Sequence, residues 1–244
     1  MQEIRTRYAS TFAGIVWSVV QPLMRILMYW LVFSYGLKIQ PASNIPFILF
    51  FLCGLIPWTL MSEALAASTD SIVGNAHLVK KTIFPTEILP VVHLFASLVT
   101  HMIMLIILLA IMLGSGLSFS IYNFQFIYYL FSLSVFVLGL SWVLSALNVF
   151  YRDVSQIFAV IINMWFWLTP IVWPLSMMED KYQLFFMLNP IYYIVNGYRD
   201  SFINHKMFWD QLPLSVYYWS ITFCLFVLGG LIFRRLKTEF ADVL

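Results

Sequence analysis

His93 and His101 stand eight residues apart with Ser97 midway between them. At 3.6 residues per turn that spacing puts all three on roughly one face of a helix. Two imidazoles and a hydroxyl so arranged suit a proton path, and they equally suit a seam packed against another helix. Glu179 and Asp180 are the one adjacent acidic pair in the chain. Paired carboxylates do acid–base work, and two neighbours in a loop also form an ordinary solvated surface. Arg25 lies 11 residues into a 24-residue apolar run. A guanidinium at the centre of a membrane helix costs about 2.5–3.5 kcal/mol on insertion scales, so it must face protein or water. Trp17, Gln21, Arg25 and Tyr29 recur every four residues and form one slowly drifting stripe. That stripe suits either the attraction of an anionic cargo or a structural role, with Arg25 bonded to carbonyls freed by Pro22.

The chemistry of an energy source is missing. None of the six lysines follows a glycine, so the phosphate-cradling GxxxxGK[ST] loop cannot form. There is no HExxH and no metal-ligand cysteine spacing. Cys53 and Cys224 both sit inside apolar runs and read as small hydrophobes. Two classes follow: a permease powered by a separate ATPase, or a self-contained secondary transporter or membrane enzyme acting on lipid-linked substrate. The second class needs ionisable groups near mid-membrane or repeated halves. Arg25 is the one centrally placed charge, and no internal repeat is evident.

The elements that must position these residues are set by composition. The chain has 244 residues, 62% hydrophobic and 10% charged, with a mean hydropathy of +0.89. Soluble domains carry about 25% charged residues, so the solvent here is a bilayer. The net charge of +2 is too small to suggest nucleic acid. Crossing a hydrocarbon layer of roughly 30 Å takes about 20 apolar residues. Six runs qualify: 14–37, 47–68, 88–113, 124–149, 155–173 and 214–233. The expectation is an all-α membrane protein with six transmembrane helices, forming a single domain over 1–244. Residues 2–13, QEIRTRYASTFA, suit an interfacial helix with Arg5 and Arg7 toward headgroups, and they do not read as a cleavable signal peptide. With the N-terminus inside, cytoplasmic segments hold eight Lys or Arg and outer segments four. The positive-inside rule therefore puts both termini in the cytoplasm.

Residues 174–213 mix apolar patches with Glu179, Asp180, Lys181, Arg199 and Asp200, and Asn189-Pro190 breaks the patch FFMLNPIYYIV. A re-entrant outer hairpin between spans five and six fits, as does an ordinary loop with an amphipathic helix. NAHLVKKTIFPTEILP, at 75–90, is the sharpest polar insert in the chain. Lys80 and Lys81 anchor it inside, Phe84 is an apolar knob, and Glu87 stands where it can cap span three. The insert suits a protein partner or lipid headgroups; Ile83-Phe84 beside the lysines favours the protein. Trp17, Tyr29, Trp30, Phe33, Trp165, Trp167 and Trp173 run through whole spans. Their rings suit stacking on sugar C–H faces if they line a channel, and lipid or core packing if they do not.

Seven stretches together resemble the type-2 ABC exporter permeases that move polysaccharides, the Wzm- and TagG-like group. They are GIVWSVVQPLMRILMYWLVFS (14–34), FFLCGLIPWTLMSEAL (50–65), NAHLVKKTIFPTEILP (75–90), NVFYRDV (148–154), WFWLTPIVWP (165–174), NPIYYIVNGYRDSF (189–202) and FRRLKTEFADVL (233–244). The resemblance covers nearly the whole chain. It implies an ATP-driven exporter of a lipid-linked glycan such as O-antigen, capsule or teichoic acid; drug and lipo-oligosaccharide exporters share the superfamily. It implies a homodimer in the bacterial plasma membrane with two ABC ATPase subunits, a polyprenyl-linked glycan as cargo, no enzyme site or cofactor in this chain, and ATP and Mg on the partner. By the same resemblance Asn75, Lys80, Lys81 and Phe84 belong to the ATPase-coupling segment. Arg152 and Asp153 mark a second cytoplasmic contact or a structural staple. Trp17, Gln21, Arg25, Tyr29, Trp165 and Trp167 are the expected path, and Asn189, Pro190, Tyr193 and Arg199 the outer gate.

Overall fold

The computed structural model describes residues 20, 23–24, 26–36, 45–81 and 85–244, with the backbone alone at Tyr35 and Lys81. The described residues are helices and turns, with no strand among them. The central element is α1, Phe47–Thr69. It is apolar all round, as a helix enclosed by others must be; Phe51, Leu52, Cys53, Ile56, Met61, Ala64 and Leu65 are all fully buried. Pro57 lies within it, a break in the ladder that neighbouring helices make tolerable in a membrane. Two short helices follow, α2 (Ser71–Gly74) and α3 (Ala76–Lys81).

Next come α4 (Ile88–Gly114), α5 (Phe126–Phe150), α6 (Asp153–Leu168), α7 (Asp180–Met187), α8 (Pro190–Arg199), α9 (Leu212–Leu236) and α10 (Phe240–Val243). Among the described residues, four stretches are long and apolar enough to cross a membrane: Phe47–Thr69, Ile88–Gly114, Ile121–Phe150 and Phe208–Val243. The first three meet expected spans two, three and four to within a few residues. The last contains span six, beginning six residues earlier and ending ten later than expected. The fifth run gives a shorter helix, the 16 residues of α6, about 24 Å at 1.5 Å per residue. It stops because Pro170 drives Thr169 out of the helical region, to φ −98° and ψ 127°. Of the first run, residues 26–30 are α-helical and Leu31–Gly36 continue as π-helix. Residues 20 and 23–24 are helical as well. Trp17, Gln21, Arg25, the other residues of that run and the expected interfacial helix lie outside the described residues.

Packing is closest between α5 and α9. A methyl group on Gly139 would come within 2.8 Å of the Phe226 backbone, and one on Gly229 within 2.2 Å of the Gly139 carbonyl oxygen. Glycine at the crossing lets the two backbones touch, the usual device where lipid gives helices no hydrophobic reason to associate. Gly197 plays the same part for α8. Its missing side chain leaves the space filled by the Tyr129 ring of α5. α4 packs by one face only: Leu94, Ser97, His101, Met104, Leu108 and Met112 are buried, while Phe95, Val99, Met102 and Ile106 are exposed. This periodicity answers the histidine question for His101. It is buried, and its Nε2 lies 3.3 Å from the Tyr198 hydroxyl, so Ser97 and His101 sit in a packed seam.

The segment after α6 carries the two short helices α7 and α8. Asn189 caps α8 by accepting a hydrogen bond from the Ile191 N–H at 3.1 Å, with Pro190 in the first turn. α8 then packs against α1, and Ile191, Tyr193, Ile194, Val195 and Tyr198 along it are buried. It runs on as π-helix over Asp200–Asn204 and ends at His205, whose φ of 52° is left-handed.

Candidate functional site

Three arrangements matter: a cavity, a latch beside it and a polar-apolar knot at the other end of the bundle. The cavity, about 310 Å³, lies between the first helix, α1 and α6. Tyr29, Trp58, Phe166 and Trp167 supply aromatic walls, and Ser62 and Asn163 supply the polar groups. The rings form a continuous series. Tyr29 and Phe166 centroids are 5.9 Å apart, Trp58 and Phe166 5.5 Å, and Phe166 and Trp167 5.4 Å. Aromatic faces with a few convergent polar groups make a lining that holds a ligand by stacking and a small number of hydrogen bonds.

Of the expected path, Tyr29 and Trp167 line this cavity. Trp165 does not. Its indole N–H donates to Asn189 Oδ1 at 2.9 Å, and its ring packs edge-on against Trp58 and Phe136. Trp58, Ser62, Asn163 and Phe166 were missed by the sequence reading. Asn163, a lone amide in the apolar run of α6, was the available signal.

Asn189 is the centre of the latch. Besides capping α8 and accepting from Trp165, it donates from Nδ2 to Thr169 Oγ1 at 2.8 Å. The expected gate residue Asn189 thus fastens the start of α8 to the broken end of α6. Arg199 does the same from the far end of α8. It is buried, with its guanidinium 3.6 Å from the centre of the Phe50 ring and Nη2 donating to the Ile171 carbonyl at 2.9 Å. Tyr193 bonds through its hydroxyl to Tyr128 at 3.0 Å and to Ser215 at 3.1 Å. Tyr193 and Arg199 are therefore buried ties, and neither lines the cavity.

At the opposite end, α2, α3 and the termini of α4, α5, α9 and α10 share a second apolar cluster. Ile72, Leu89, Ala146, Val149, Phe233 and Phe240 form it, with Val79 packed against it. Of the expected coupling residues, Lys80 is exposed on α3, as is His77 beside it, and Asn75 is half-buried. Asn75 Nδ2 donates to the Ser71 carbonyl at 2.8 Å. Lys81 ends α3, and Phe84 lies outside the described residues. Arg152 and Asp153 are exposed at the start of α6. The residue that binds their turn to α1 is Asn148. Its Nδ2 donates to the Thr69 carbonyl at 3.1 Å and to Asp70 Oδ1 at 3.0 Å, and its Oδ1 accepts the Ser155 N–H at 3.2 Å.

Glu87 stands at the N-cap of α4, just before Ile88, but its side chain makes no capping bond. Its carboxylate instead accepts at 2.6 Å from Nζ of Lys237, just past the end of α9. Burial pushes the Glu87 carboxyl up, but the Lys237 hydrogen bond, a backbone hydrogen bond and the Lys237 charge outweigh it, leaving it below the ordinary carboxylate value. A lowered native value means the pair's stabilisation is complete above the ordinary value of 4.5 and disappears as pH falls through the native one. Both side chains are more than a third exposed, so the contribution stays below about 1 kcal/mol. Acid unfolding of the native protein and of Lys237→Met should differ by that small margin near neutral pH and converge in acid. A gap that widens in acid would contradict the pairing.

A family model described as ABC-2 type transporter matches residues 1–203. The chain is 27% identical over 247 residues to the O-antigen export system permease protein RfbA of Klebsiella pneumoniae, covering 100% of this chain and 92% of that one. It is 29% identical over 248 residues to the protein of the same name from Myxococcus xanthus, covering 99% and 92%. It is 23% identical over 203 residues to the polysialic acid transport protein KpsM of Escherichia coli, covering 82% and 78%.

Proposed function

The chain belongs to the ABC-2 type transporter family, and from that membership we propose that it is the membrane-spanning permease subunit of an ATP-driven exporter of a lipid-linked, O-antigen-like polysaccharide. The observation that carries this reading is the likeness, over 99–100% of the chain, to proteins named O-antigen export system permease. Capsule export is the second reading, favoured by the more distant likeness to a polysialic acid transport protein.

In this proposal the permease is a homodimer in the bacterial inner membrane, with six spans per protomer and both termini in the cytoplasm. Two separate ABC ATPase subunits bind ATP and Mg and seat against Asn75, Lys80, Lys81 and Phe84, with Arg152 and Asp153 beside them. A polyprenyl-linked glycan moves along the aromatic cavity, and the hairpin of α7 and α8 forms a re-entrant gate on the outer side. Three features support it. Lys80, Lys81, Arg152, Arg234, Arg235 and Lys237 gather at the α2–α3 end of the bundle, as the positive-inside rule requires of a cytoplasmic face. His77 and Lys80 present an exposed polar edge there. Trp167 and Asn163 are exposed at the cavity and so reachable by a sugar.

The test is export of glycan by the permease reconstituted with its ATPase. Trp167→Ala and Asn163→Leu touch exposed side chains and leave the core intact. Taking about 0.5–1.5 kcal/mol for an aromatic contact, Trp167→Ala should slow export roughly two- to tenfold while assembly and ATP hydrolysis persist. Normal export by both variants would remove the cavity from the path. No glycan movement by the native complex would overturn the function itself.

A further inference from the structure

α2 and α3 have four and six residues. Helices this short have no stability of their own, so packing alone decides how α3 is held. α3 divides its residues between two sides. His77 and Lys80 are exposed, while Leu78 and Val79 are partly buried, Val79 against the second apolar cluster. What it meets there is α10. The Phe240 ring is fully buried, 5.5 Å from Phe233 at the end of α9 and 6.1 Å from Phe150 at the end of α5. Beside it, Lys237 reaches Glu87 at the start of α4, and the Glu87 carbonyl accepts the Trp142 indole N–H of α5 at 3.3 Å. The ends of three spans therefore meet α3 through residues 237–244.

We propose that residues 237–244 are a brace that sets the position of the coupling segment: Phe240 is the wedge behind α3, and the Lys237–Glu87 pair ties the wedge to α4. Phe240 is a positioning residue. It acts through Val79 and touches neither ATP nor cargo. A push on the exposed edge of α3 passes through Val79 to Phe240, and from there to α9 and α5. Without the wedge, α3 yields and the push is lost. The Lys237–Glu87 pair is too exposed to add much stability, so its role is geometric. The inference rests on the proposed docking of α3 on an ATPase.

The experiment uses the full complex reconstituted in vesicles, reading glycan exported per ATP hydrolysed. A second readout is the yield of a disulfide-length crosslink from His77→Cys to the ATPase. Phe240→Ala should keep assembly and ATP hydrolysis but cut export per ATP by about tenfold, in the lower part of the range for coupling between two sites. Phe240→Leu should restore most of it. Lys237→Glu should lower the same ratio, and Lys237→Glu combined with Glu87→Lys should restore it. The charge exchange stands as the test should Phe240→Ala fail to fold. An unchanged ratio in both Phe240→Ala and Lys237→Glu overturns the brace. So does a charge exchange that restores nothing. The crosslink separates this outcome from failure of the docking reading. No crosslink in the otherwise native protein removes the docking. A crosslink whose yield Phe240→Ala leaves unchanged removes the brace alone.

Discussion

Gly229→Ala should lower the stability of the permease by about 1–3 kcal/mol, and Gly229→Leu should leave no folded protein. The added methyl of the alanine meets the Gly139 carbonyl oxygen at 2.2 Å, and the next two atoms it meets also belong to Gly139. Backbone cannot swing aside as a flexible side chain can, so the helices must separate along the crossing of α5 and α9. That separation strips contacts from Tyr218 and Phe233, both buried on α9. Gly230→Ala is the control one residue away. Its methyl would meet only the Trp142 ring, at 3.9 Å, an ordinary contact. Alanine also favours helix over glycine by as much as about 1 kcal/mol, so Gly230→Ala should be neutral or stabilising. Unfolding in detergent by heat or by SDS separates the two. Equal stability of Gly229→Ala and Gly230→Ala would mean that the crossing is not the close one described.

Asn148→Leu should cost about 1–3 kcal/mol for each buried backbone group it leaves without a partner. Two backbone groups lose this partner, the buried Thr69 carbonyl and the part-buried Ser155 N–H, the second at the lower end of that cost. The second is among the first N–H groups of α6, which have no partner within the helix. The loss is therefore felt at the start of α6 and at the end of α1 together. Asn148→Asp should not rescue it. The new carboxylate can still accept from Ser155, but it no longer donates to Thr69 and it faces Asp70 at 3.0 Å. Ser155→Ala should lie within about 0.5 kcal/mol of the native protein, because Asn148 binds the backbone N–H of that residue and not its hydroxyl. Reading stability and ATP-driven export together checks the assignment. An Asn148→Leu protein as stable as the native one would show that the turn of Arg152 and Asp153 is held by something else. This link also bears on the choice left open for Arg152 and Asp153. Asn148, three residues before Tyr151, ties their turn to α1, and both charged side chains are exposed.

Residue patterns made some of this molecule legible and hid the rest. The bilayer, the helices and most of their limits follow from the chain as a string. In lipid each helix must satisfy its own backbone groups, so crossing the membrane is a local property of about 20 consecutive residues. The break at Thr169-Pro170 and the cap at Asn189-Pro190 are local in the same way. The resemblance of seven stretches to polysaccharide export permeases agreed with the likeness found over the full chain. What the string did not disclose is which side of each helix faces a neighbour. In water an apolar stripe marks the buried face. In lipid both faces are apolar, so Leu105 and Ile106 look alike, yet Leu105 is 6% exposed and Ile106 66%. Trp165 and Trp167 look alike as well, yet Trp165 is tied to Asn189 and Trp167 opens onto the cavity. Glu87 looked like a cap and became the partner of Lys237, 150 residues away. Those choices belong to the tertiary structure. They turn on shape, on where Gly139, Gly197 and Gly229 let backbone and rings come close, and on which distant donor arrives at a buried acceptor. Neither is a property of a short run of residues.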